Sequence, residues 1–80
     1  MSAYSKTVNE SPAKVLERAV SYFGPEGLGL SSRGIEDDCA NFEGGGGHVA
    51  ISACENDGKT DIELETQEWD IQVREFLKQF

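Results

Sequence analysis

Apolar and polar residues alternate with two different periods along this chain, and the change of period marks out its elements. Between Pro12 and Phe23, Val15, Leu16, Ala19, Val20 and Phe23 recur at the three- and four-residue spacing of a helix that buries one stripe. Ser11 before Pro12 is a helix-start signal, because a serine oxygen can accept from the first turn and Pro12 sits where a missing N–H costs nothing. Gly24-Pro25 ends that helix. Upstream, Tyr4, Lys6 and Val8 alternate with smaller or polar residues and predict a short leading strand, which the pattern alone does not separate from a frayed end.

From Leu28 onward the period is two. Turn chemistry at Arg33-Gly34, Gly44 to Gly47 and Asn56-Asp57-Gly58-Lys59 divides the stretch into strands near 28–32, 39–43, 48–55 and 60–66. Two-residue turns at Gly46-Gly47 and Asp57-Gly58 would pair Phe42 with Ile51, Ala40 with Ala53, Ile51 with Leu64 and Ala53 with Ile62. All of these fall on one apolar face. From Glu68 to Phe80 the helical period returns, with Trp69, Val73, Phe76, Leu77 and Phe80 on one side and Thr66 as the expected cap.

The expectation is a single α+β domain over residues 1–80, in the order (β)-α-β-β-β-β-α. It consists of a four- or five-stranded antiparallel meander with the N-terminal and C-terminal helices packed on one face.

The stretch Glu68-Trp69-Asp70-Ile71-Gln72-Val73-Arg74-Glu75-Phe76-Leu77 follows a strand, and a capped helix precedes the meander. In that order the chain resembles a shortened helix-grip fold, the architecture of START-like and polyketide-cyclase-like domains, and also one repeat of the TATA-binding-protein-like fold. The likeness is one of element order over most of the chain and includes no family-specific motif. A helix-grip likeness implies a carrier of a small apolar ligand held between the sheet and the C-terminal helix, by Phe42, Ile51, Leu64 and Trp69. The other likeness implies nucleic-acid contact through a basic sheet surface, but here the corresponding face is acidic.

That acidity is global. Fifteen Asp plus Glu against seven Lys plus Arg give a formal charge of −8, which excludes nucleic acid as an expected partner and disfavours anionic membranes. The opening Met1-Ser2-Ala3-Tyr4-Ser5-Lys6 lacks the basic-then-apolar pattern of a signal peptide, so a cytoplasmic location and reduced thiols are expected.

The outward sheet face should carry Cys39, Asn41, Glu43, His48, Ala50, Ser52, Cys54, Asp61, Glu63 and Glu65. In the register above Cys39 faces Cys54 directly, which would put two thiols within disulfide reach; two small residues kept reduced are the plainer reading. His48, the only histidine, is six residues from Cys54 along its strand, about 20 Å, too far for a Cys-His pair. The four glycines precede a strand rather than a helix, so they form a turn and not a phosphate loop. Glu43, Glu63 and Glu65 form an acidic surface, a cluster in some registers, that water screens on an open face.

No catalytic residue, metal site or cofactor is therefore expected. Three readings remain. One is an acidic interaction or self-associating domain, a homodimer or a module for a protein partner, using Cys39, His48, Cys54, Asp61, Glu63 and Glu65. The second is the apolar-ligand carrier. The third, ranked last, is an enzyme with Glu63 or Glu65 as base and His48 supplied by a second subunit.

Overall fold

A computed structural model describes residues 2–80. The elements run β1 (Ser2–Val8), α1 (Pro12–Phe23), β2 (Ser31–Glu36), β3 (Cys39–Gly44), β4 (Gly47–Asn56), β5 (Lys59–Gln67) and α2 (Asp70–Leu77). All five strands form one antiparallel sheet in the order β1-β5-β4-β3-β2. The leading segment is thus a full strand, and it closes the sheet against β5 rather than against its sequence neighbour.

Helix α1 begins as its sequence dictates. The Ser11 hydroxyl accepts from the Lys14 N–H, Pro12 opens the first turn, and Val15, Leu16, Ala19 and Phe23 are buried. Strand β2 starts later than expected, because residues 24–30 fold back on the helix end: the N–H groups of Leu28 and Leu30 donate to the Tyr22 and Phe23 carbonyls. Arg33-Gly34 is not a turn. The positive φ of Gly34 falls where the β2–β3 register shifts between Ser32 and Ile35, and the reversal is made by Asp37-Asp38, both at positive φ.

The β4–β5 hairpin has the expected register, with Ile51 opposite Leu64 and Ala53 opposite Ile62 across Asp57-Gly58. The β3–β4 hairpin turns one residue earlier than expected, at Gly45-Gly46 with both φ angles positive. Its pairs are therefore Phe42 with Val49 and Ala40 with Ile51, a two-residue shift that keeps every side chain on its expected face. Gly47 is the residue that decides between the two turns. A Cβ there would collide with the Gln67 carbonyl, so Gly47 lies within the strand where β4 runs tightly beside the end of β5.

Helix α2 is shorter than expected, and Thr66 does not cap it. Thr66 is buried within β5 and its hydroxyl donates to the His48 carbonyl at 2.8 Å, while Glu68 at positive φ makes the bend into α2. Both helices cover the same sheet face. Phe23, Phe42 and Phe76 form the centre of the core, with Tyr22 and Phe80 packed on Phe76 at ring separations of 5.5 and 5.3 Å. Each large apolar side chain buried this way contributes about 1.5–3 kcal/mol.

Lys6 points beneath the sheet and donates to the Leu77 and Phe80 carbonyls, holding the end of α2 under β1. Ser2 holds its start, through a 2.7 Å hydrogen bond to Asp70. Among the described residues no helix is long and apolar enough to cross a membrane.

Candidate functional site

The face of the sheet turned away from both helices is open. Strand pairing lays its side chains in transverse rows: Ser5, Glu63, Ser52 and Cys39 in one, Ala3, Glu65, Ala50 and Asn41 in the next, and Gln67, His48, Glu43 and Ser31 beyond. A further row, Thr7, Asp61 and Cys54, lies toward the Asp57-Gly58 turn. The two middle rows consist of small side chains apart from the carboxylates of Glu63 and Glu65. They line a shallow depression of about 560 Å³.

The face carries more negative than positive charge. Arg33 reaches over from β2 to the exposed Glu43 at 3.2 Å, and His48 Nε2 stands 3.9 Å from Glu65 Oε1. Asp61 accepts from the Thr7 hydroxyl at 2.7 Å and from Asn56 at 3.4 Å. Glu63 stands opposite Ser5 on one side and Ser52 on the other, so its row contributes no cation.

Cys39 lies opposite Ser52, not opposite Cys54. With the turn one residue earlier, the two thiols become diagonal neighbours, whose Cα atoms are ordinarily about 7–8 Å apart and outside the usual disulfide range. Both are free and exposed. Glu43 is separated from Glu65 by strand β4, with His48 directly opposite Glu43, so Glu43 stands apart from Glu63 and Glu65, which neighbour each other on β5. Among the described residues no group of three or more His, Cys, Asp or Glu side chains is placed to hold a metal ion.

On the other side of the sheet, Phe42, Ile51 and Leu64 are buried in the cluster that includes α1 and α2 residues. Trp69 is half-buried at the end of the β3–β4 hairpin, its indole N–H donating to the Gly44 carbonyl at 2.9 Å and its ring lying against Gly45. These four residues therefore sit beneath the sheet, and the six residues of the acidic face sit above it.

Sequence reasoning left out Ala3, Ser5 and Thr7, which extend the open face across β1, and Arg33, which supplies one of its few cations. The alternation from Ala3 to Thr7 carried the signal for the first three. Arg33 reaches Glu43 from within β2, at a dipeptide whose glycine reads locally as a turn. No protein family, curated protein or solved structure matches this chain.

Proposed function

We propose that this domain is a non-enzymatic interaction module whose open sheet face receives a basic segment of a protein partner. The observation that carries this reading is the shallow depression of small side chains in which Glu63 and Glu65 are the charged groups. Small residues let a partner chain approach the sheet closely, and exposed carboxylates offer its Lys or Arg charge-assisted hydrogen bonds. The formal charge of −8 adds long-range attraction for a cationic partner. The same charge opposes stacking two copies face to face, since Glu63 and Glu65 of each would be desolvated together.

The test is an amide chemical-shift titration with a lysine- and arginine-rich peptide and, separately, an acidic peptide of equal length. Saturable shifts with the basic peptide alone, centred on Ala50, Ser52, Glu63 and Glu65 and weakening with salt, are the expected result. Glu63→Lys and Glu65→Lys should each lower affinity at least several-fold without changing the fold, because the substituted positions are exposed. Shifts spread evenly over the surface, or undiminished in both charge-reversed variants, would overturn the reading.

A further inference from the structure

The two edges of this sheet are built differently. Strand β2 has an irregular register, a positive-φ glycine at Gly34 and the charged residues Arg33 and Glu36, all devices that keep another strand from pairing. Strand β1 has no register shift and no residue at positive φ. Its seven residues pair with β5 in unbroken register from Ser2 to Val8, it holds no proline, and its exposed side chains are Ala3, Ser5 and Thr7. Its one charge, Lys6, is turned beneath the sheet and engaged by the carbonyls of Leu77 and Phe80. In a chain this acidic, a regular edge with no carboxylate and with its one cation already engaged is the place where another strand fits.

We infer that β1 pairs with β1 of a second copy in an antiparallel, two-fold dimer centred on Ser5, joining the two sheets into one of ten strands. The edge is self-complementary in that register. Ser5 meets Ser5, Ala3 meets Thr7, and Tyr4 meets Lys6, so no like charges stand directly opposite. The nearest acidic strand on each side is β5, and the two β5 strands lie three strand spacings apart, about 14 Å. That exceeds the Debye length of about 8 Å at physiological ionic strength, so repulsion between the acidic rows is largely screened.

Helix α2 supplies complementarity on the underside. It runs along β1, since Ser2 binds Asp70 near its start and Lys6 binds carbonyls at its end. Because α2 packs against both β5 and β1, a two-fold axis at Ser5 lays the two helices antiparallel and about two strand spacings, roughly 10 Å, apart, an ordinary helix-packing distance. The Glu68 and Asp70 end of one helix then faces the Arg74 and Lys78 end of the other, with opposed helix dipoles.

Light scattering in reducing buffer at rising protein concentration tests this inference. The mean mass should climb from 8.7 kDa toward twice that value as the concentration rises. Ser5→Lys places two ammonium groups at the two-fold axis while setting each beside its own Glu63; it should hold the mass at one chain with an unchanged circular dichroism spectrum. Should that variant fold poorly, Lys78→Glu decides, because it puts acid against acid at the helix ends; it should weaken the dimer several-fold and leave the basic-peptide shifts at Glu63 and Glu65 unchanged. The parent chain remaining at 8.7 kDa at every concentration, or a folded Ser5→Lys chain dimerising like the parent, overturns the inference. Neither outcome bears on the peptide titration, so the two proposals fail separately.

Discussion

Trp69 joins three parts of the molecule with one side chain. Its indole N–H satisfies the Gly44 carbonyl, its ring lies on Gly45, and its backbone carbonyl accepts from Val73 in the first turn of α2. Trp69→Phe should therefore cost about 1 kcal/mol, the worth of one hydrogen bond, whereas Trp69→Ala should cost about 3 kcal/mol by also removing the ring; urea melts of the two variants separate the contributions. Gly47 is constrained from the other side of the same junction. Gly47→Ala drives a methyl group into the Gln67 carbonyl and should lower stability by about 2 kcal/mol or more, while Gly46→Ala, with open space around its Cβ but φ at +82°, should lose only about 1–2 kcal/mol. Equal losses at both positions would contradict the close approach at Gly47. Lys6→Met keeps the apolar stem and removes the amine, and should cost about 1 kcal/mol, with amide exchange accelerated first at the end of α2.

At the scale of elements, what could be read from the sequence depended on whether local chemistry decided the outcome. Ser11-Pro12 and the stripe from Val15 to Phe23 specify α1 without outside help, and Asp57-Gly58 specifies the β4–β5 register, so both were legible. The run of four glycines was not. Several two-residue turns fit it equally well, and the choice of Gly45-Gly46 is made by contacts Gly47 makes with the far end of β5, twenty residues on in sequence. Because the available turns differ by even shifts, the core and the open face were predictable while the Cys39–Cys54 relation was wrong. Asp37-Asp38 escaped notice for another reason: aspartate tolerates positive φ but does not demand it, and Gly34 nearby offered the more obvious signal. Gly34→Ala should mark the difference. It strains the β2–β3 register by about 1 kcal/mol and should disturb amides of β2 and β3 while leaving those of β5 unmoved.

The described residues form a single sheet with both helices on one side and an open acidic face on the other. Fifteen acidic residues on 80 give a net self-repulsion that folding concentrates, so added salt should raise the thermal midpoint even where no ion pair is involved. The three salt bridges among the described residues join exposed or half-exposed side chains and have little stability to lose to screening. A calorimetric series in sodium chloride that showed a falling midpoint would require a stronger internal ion pair than any among the described residues.

The pairing of β1 with β5 also imposes an order on events in time. Strands β2 to β5 are joined by tight turns and can zip together locally, but Ser2 meets Thr66 and Val8 meets Thr60 only after a loop spanning most of the chain has closed. Folding should therefore be limited by the meander, with β1 arriving late. Val8→Ala should speed unfolding and leave the folding rate nearly unchanged, whereas Ile51→Val should slow folding, a contrast that stopped-flow chevrons measure directly. During synthesis the same geometry means that β1 emerges from the ribosome well before β5 and stays without its partner strand while the helix and the three strands between them are made.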